Sequence, residues 1–347
     1  MSHETILSQE IYQQPDALAR MLVSADDAVR DAAVRIRAFE PEVVVLAARG
    51  SSDNAARYAQ YLLGAFHGLV VALATPSLFT LYRRPPRLKR ALTIGLSQSG
   101  QSPDVVAVIE ETRRQGGLAL AITNDPYSPL AEVANVCIPL STGPEHSIAA
   151  TKTYTSTLLA LAMLSTAIDG DRIRSEALQR VPQAVGAVLT QQRALSDGAR
   201  DFAAFTRFLV VGRGYNYSTA FEIALKMKET SYVLAEAYSM ADLMHGPLAM
   251  VDDQLPVLLV APSGEGSDEA PALFLRLKQQ GARIIAFSDR KSLLERADLA
   301  VPLPCVPEWL SPLVAIVPGQ LWALELAIAR GCDADNPRGL SKVTRTH

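Results

Sequence analysis

Three stretches of this sequence carry residue types suited to chemistry. The first is GLSQSGQSPD, residues 95–104, where an apolar run gives way to hydroxyls, an amide and a glycine. Ser102-Pro103-Asp104 reads as a helix start, with a serine cap, a proline at the first helical position and an acid in the first turn. Backbone N–H groups at such an end, reinforced by the macrodipole, favour an anion. Ser97, Gln98, Ser99 and Ser102 add side-chain donors, and Gly100 lets the backbone come close to a ligand. A plain capped turn needs one hydroxyl; three, with a glutamine and a glycine, favour a phosphate group. GSSDN at 50–54 has the same character, and Ser51 and Ser52 could close over the same anion.

The second stretch is FEIALKMKETSY, residues 221–232. Glu222, Lys226 and Glu229 fall at i, i+4 and i+7, on one face of a helix. Such a row is either a surface ion-pair stripe, worth little, or a carboxylate held beside a cation, able to move a proton on carbon next to a carbonyl. Spacing alone leaves both open. The third is Met244-His245-Gly246-Pro247, a histidine in a glycine and proline loop. A lone loop histidine is more often incidental than catalytic. In the tail DNPRGLSKVTRTH, Lys342 reads as a solvated charge, and the segment looks frayed.

The elements around these residues form a pattern. Residues 7–39 read as helical, with Pro15 as the one breaker. Uniformly apolar runs at EVVVLAA, ALTIGL and GLALAIT, and a shorter one at ANVCIPL, imply parallel strands buried on both faces. Helical segments between them give βαβ units, so ligands belong at the carboxyl ends of the strands. The second half repeats the first. Arg49-Gly50 and Arg213-Gly214, Ser99-Gly100 and Ser263-Gly264, and the pairs Gly117/Asp125 and Gly281/Asp289 all stand 164 residues apart. A helical stretch from about Asp171 to Arg200 joins the copies. The second copy of the serine loop, PSGEG, carries Glu265, which is expected to repel an anion, so only the first copy is expected to take phosphate.

Bulk properties narrow the function. A chain of 347 residues, 49% hydrophobic, is long enough for two α/β domains. A net charge of −3 argues against nucleic acid or an anionic membrane as the main partner. The N-terminal 40 residues carry seven acids and no basic recognition helix. Cys137, Cys305 and Cys332 have no metal-ligand spacing and are expected to be buried free thiols in a reducing compartment. No signal peptide and no apolar run near 20 residues is visible, so the chain reads as cytoplasmic.

Together GSS, SQSG, ATKTY, EIALKMKETSY, AEAY, HGPLA and NPRGLSKVT resemble the isomerase half of glutamine–fructose-6-phosphate aminotransferase, which is built of two sugar isomerase (SIS) domains. The likeness covers essentially the whole chain. It implies an α/β fold of two tandem flavodoxin-like SIS domains, each a parallel sheet flanked by helices. The expected divisions are an N-terminal helical segment at 1–40, a first domain at 41–170, a helical connector at 171–200, a second domain at 201–333 and a tail at 334–347. By position, Ser51, Ser52, Ser97, Gln98, Ser99 and Ser102 would hold a sugar phosphate. Glu229 would carry the proton between C1 and C2, with Lys226 and Glu222 beside it. His245 would assist ring opening from the neighbouring subunit of a homodimer. Lys342 would form a Schiff base with an open-chain ketose, and the backbone at Ile148 and Ser341 would contact the sugar. The chemistry implied needs no metal, flavin or nucleotide.

The sequence departs from the aminotransferase in places. Ala150 stands where that family has a hydroxyl, and Ser102 replaces a threonine. Residues 1–40 are too few for the glutamine-handling domain. Stand-alone chains of this length resemble the isomerase-type glucosamine-6-phosphate deaminases, whose RGSSD, SQSGQSPD and LSKVT stretches fit well. The expected reaction is glucosamine 6-phosphate plus water to fructose 6-phosphate and ammonia. The same chemistry on galactosamine 6-phosphate, a simple aldose–ketose isomerisation, and a non-catalytic sugar-phosphate sensor are the alternatives.

Overall fold

The computed structural model describes residues 5–342. The first sheet contains β1 (Val43–Ala47), β2 (Val70–Leu73), β3 (Ala91–Leu96), β4 (Leu118–Thr123) and β5 (Val136–Pro139). Its order is β2-β1-β3-β4-β5, and every pairing is parallel. The second sheet contains β6 (Arg207–Gly212), β7 (Leu234–Ser239), β8 (Val257–Val260), β9 (Ile284–Ser288) and β10 (Leu299–Pro302). Read from the other edge, its order β7-β6-β8-β9-β10 repeats the first, again all parallel. This is the flavodoxin-like order, whose switch point lies between the first and third strands. Two parallel five-stranded sheets with helical crossovers match the expected α/β architecture and its duplication.

The apolar runs explain the central strands. All six residues of β3 are buried, and Ala47, Val105, Val108, Ile109, Ala119, Ala121 and Leu130 pack into one core against it. The edge strand β2, absent from the sequence reading, alternates exposed and half-buried residues. Its four residues are too short and too wet to read as a buried strand.

The chain divides into two compact units. Among described residues, 16–146, 152–180 and 341–342 go with the first sheet, and 5–15, 147–151 and 181–340 go with the second. The expected N-terminal helix is three helices, Ile6–Tyr12, Gln14–Ser24 and Asp26–Phe39, and the division falls after Pro15. The connector is helical in the segments Arg172–Leu178, Val181–Val188 and Gln192–Phe202.

In the second unit the stretch Glu308–Ala329, which contains the helix Ser311–Ala329, is long and apolar enough to cross a membrane, but 89% of its most apolar part is buried inside the protein. It is a core helix, apolar all round because protein surrounds it. The tail is not frayed as far as Arg338. Asp335 accepts the N–H groups of Ile6 and Leu7 at 2.9 Å each, and the Tyr232 hydroxyl accepts the Arg338 N–H at 2.9 Å. The cysteines also depart from expectation, since Cys305 is exposed and Cys137 and Cys332 are only half-buried. Burial, with Asp125 adding to it, pushes the Cys137 thiol up to about 11.

Candidate active site

The serine loops meet because their strands are neighbours. β1 and β3 pair in register to Ala47 opposite Gly95, so the segments that follow leave the sheet side by side at its switch point. The helices Ser51–His67 and Pro103–Arg114 begin there. Arg49 Nε donates to the buried Asp104 at 2.6 Å, tying one loop to the other. Ser102 occupies the cap position of its helix with extended backbone, but its side chain makes no capping bond. Its Oγ lies 3.5 Å from Ser97 Oγ. The Ser102 hydroxyl therefore does not cap its helix and faces Ser97 instead.

Gly100 shapes the loop. Its φ of 62° is in the left-handed region, its N–H donates to Ser97 Oγ at 3.1 Å, and a Cβ there would overlap Ser128 Oγ. Ser51, Ser52, Gln98, Ser99 and Ser102 are half-buried. Charge is balanced nearby: Asp53 lies 3.3 Å from Arg57, and burial raises its pKa against the pull of Arg57 and Arg49. Two guanidinium groups thus stand close to the loops, each already facing a carboxylate.

Ser341 and Lys342 belong to this first unit. Ser341 is exposed, and Lys342 Nζ donates to Glu145 Oε2 at 2.8 Å. Glu145, the partner of Lys342, was not singled out by the sequence. Its carboxylate is fully buried and also accepts the Thr153 N–H at 3.1 Å and the Thr153 hydroxyl at 2.7 Å. The one available signal was an acid inside the glycine and proline loop just before ATKTY.

The second unit holds the charged row. On the helix Tyr217–Ser231, Lys226 Nζ lies 3.4 Å from Glu222 and 2.6 Å from Glu229. Glu222 and Lys226 are buried, with side chains 0% and 3% exposed, whereas Glu229 is 23% exposed. This rules out a solvated surface stripe. Burial opposes the Lys226 charge, but Glu222 and Glu229 outweigh it and hold its pKa above the ordinary lysine value. The row is therefore a buried cation clamped between two carboxylates, of which only Glu229 reaches solvent.

Packing fixes that helix. Ile223 sits on Gly319 of the core helix, where a Cβ would overlap its side chain. Thr230 Oγ1 donates to Ala323 O at 3.2 Å, and Asn216 Nδ2 donates to Ser311 Oγ at 2.7 Å. In the same unit His245 ends the short helix Met240–Met244, exposed, and is followed by Gly246 at a φ of 131°. Ile148 also belongs here and is half-buried. The structure thus brings the serine loops together in the first unit and the charged row together in the second.

A family model described as the SIS domain matches residues 40–167 and again 203–330. The chain belongs to the SIS domain family. Among curated relatives, glutamine–fructose-6-phosphate aminotransferase (isomerizing) of Gloeobacter violaceus is 35% identical over 353 residues, spanning 96% of this chain and 57% of that protein. This SIS chain therefore spans a little over half the length of that relative. A protein assigned as a phosphosugar isomerase from Silicibacter pomeroyi is 34% identical, with a TM-score of 0.84 over 95% of this chain and 100% of that one. The C-terminal domain of the Francisella tularensis glucosamine–fructose-6-phosphate aminotransferase is 27% identical, with a TM-score of 0.87 over 97% and 99%. The names of these relatives concern phosphorylated sugars.

Proposed function

We propose that this chain converts glucosamine 6-phosphate and water to fructose 6-phosphate and ammonia. The observation that carries the reading is the Glu222–Lys226–Glu229 clamp, in which one accessible carboxylate is held on a rigid helix beside a buried cation. Glu229 takes the C2 proton of the open-chain amino sugar, and a proton is returned at C1. The resulting C2 imine adds water and expels ammonia, leaving the ketose. Ser51, Ser52, Ser97, Gln98, Ser99 and Ser102 bind the phosphate, which sets which carbons react. Relatives named for fructose 6-phosphate amination support a hexose 6-phosphate as the substrate class.

Two further groups take roles in the same reading. His245, exposed on its loop, serves as the acid that opens the sugar ring, given from the partner of a homodimer. Lys342, parked on Glu145, is the amine that condenses with the open-chain ketose. Ile148 and Ser341 contact the sugar through their backbone. Phosphorylated sugars place the work in the cytoplasm. The test is ammonia release from glucosamine 6-phosphate and galactosamine 6-phosphate, side by side, by wild type and Glu229→Gln. Release from the first, abolished in the variant, is expected; a wild type inactive on every hexosamine phosphate overturns the reading.

A further inference from the structure

The second copy of the serine loop already holds an anion, and the anion is the protein's own. Ser263-Gly264-Glu265-Gly266 stands 164 residues after Ser99-Gly100-Gln101-Ser102 and likewise follows the central strand of its sheet, β8. Glu265 was expected to repel anions, but its side chain is exposed and the loop's backbone does the opposite. The Glu265 N–H donates to Glu308 Oε2 at 3.0 Å, and the Gly266 N–H donates to Glu308 Oε1 at 2.9 Å. A Cβ on Gly264 would overlap this carboxylate, and one on Gly266 would stand 2.7 Å from it, so both glycines leave room for it. At the start of the loop Ser263 turns to a second acid: its N–H and hydroxyl both reach Asp289 Oδ1, at 2.7 and 2.8 Å.

We propose that this loop is a second anion site of the phosphate type, occupied internally by Glu308, and that removing the carboxylate opens it to inorganic phosphate. The occupant has a structural use. The Glu308 carbonyl accepts the Ser311 hydroxyl at 2.6 Å, and Ser311 Oγ accepts Asn216 Nδ2, whose side-chain oxygen accepts Thr219 Oγ1 at 3.0 Å. Glu308 thus ties the loop to the start of the core helix and to the first turn of the helix bearing Glu222, Lys226 and Glu229. One copy of the loop takes its anion from substrate; the other takes it from position 308 and uses it to hold the catalytic helix. Neighbouring charges do not prevent this, because Arg290 pairs with Asp268 at 3.1 Å and Arg213 pairs with Glu269.

The proposal rests on the reading of the first loop as a phosphate site, and counting bound phosphate separates the two. Wild type and Glu308→Ala are titrated calorimetrically with inorganic phosphate at constant ionic strength. One phosphate per wild-type chain and two per variant chain are expected. The variant's thermal midpoint should fall without phosphate and recover with it, beyond any gain in wild type. No phosphate on wild type overturns the first-loop reading alone. The same count in both proteins overturns this proposal. Should Glu308→Ala not fold, the isosteric Glu308→Gln decides: a lower midpoint, raised by phosphate more than in wild type, is expected. A wild-type midpoint and phosphate response would make the contact a neutral tie and overturn the anion site.

Discussion

Replacing Lys226 by methionine removes the cation from a clamp that is almost wholly buried. At an effective dielectric of ~20, a pair 3.4 Å apart such as Lys226 and Glu222 attracts by about 5 kcal/mol, offset in wild type by the desolvation of both groups. The variant keeps the desolvation and loses the attraction, leaving Glu222 as a 0% exposed carboxylate beside Glu229. Breaking such a pair costs roughly 3–5 kcal/mol. Glu222 escapes by keeping a proton, which costs about 1.4 kcal/mol for each pH unit above the ordinary carboxylate value. Its folded pKa would then lie above its unfolded one, so stability is lost as pH rises. Urea midpoints at pH 5 and pH 8 read this directly. The penalty of Lys226→Met should be near ~1 kcal/mol at pH 5 and approach ~3–5 kcal/mol at pH 8. Glu222→Gln/Lys226→Met should recover most of it and lose the pH dependence. A Lys226→Met penalty under ~1 kcal/mol at pH 8, or one equal at both pH values, refutes the clamp.

Other parts of the molecule make independent predictions. His67 Nδ1 lies 3.1 Å from Asp169, and its Nε2 lies 2.9 Å from Ser165 Oγ, which also accepts from Arg174 at 3.1 Å. Burial lowers the His67 pKa despite Asp169, so its contribution to stability is complete above the unfolded value of 6.5 and falls away as pH drops toward the folded value. An imidazole titration by NMR should show a midpoint below 6.5, and one above it contradicts this. Exposed Cys305 should react with a disulfide reagent at pH 8.5 faster than half-buried Cys137, whose raised pKa leaves little thiolate; loss of the fast phase in Cys305→Ser checks the assignment. In co-expressed heterodimers of His245→Asn and Glu229→Gln, one site in two should work if His245 crosses the interface; none should work if it acts within its own chain.

Much of this was legible because buried parallel strands leave unmistakable apolar runs, and because the duplication preserved a constant offset. The serine loops could be placed for the same reason, since a strand end fixes where its loop must lie. The edge strand β2 was illegible because half its residues face water. Whether Glu222, Lys226 and Glu229 formed a surface stripe or a buried clamp was also hidden, since helical spacing gives a face but not what covers it. Gly319, nearly a hundred residues away, decides that by letting the core helix sit on Ile223. Glu145 and Glu308 escaped notice because each acts through partners distant in sequence, Lys342 and the 265–266 backbone. At the 265–266 turn the backbone N–H groups hold the Glu308 carboxylate while the Glu265 side chain is exposed, a pairing that local sequence does not reveal.

The central claim is that Glu229 moves a proton between C2 and C1 of a phosphorylated sugar. It is tested most directly by running the reaction on glucosamine 6-phosphate in deuterated water and following the sugar by NMR. Wild type should yield fructose 6-phosphate bearing solvent deuterium at C1, together with ammonia, and Glu229→Gln should give neither while still binding inorganic phosphate. Turnover without deuterium at C1 that persists in Glu229→Gln, or the absence of both turnover and exchange in wild type, would contradict it.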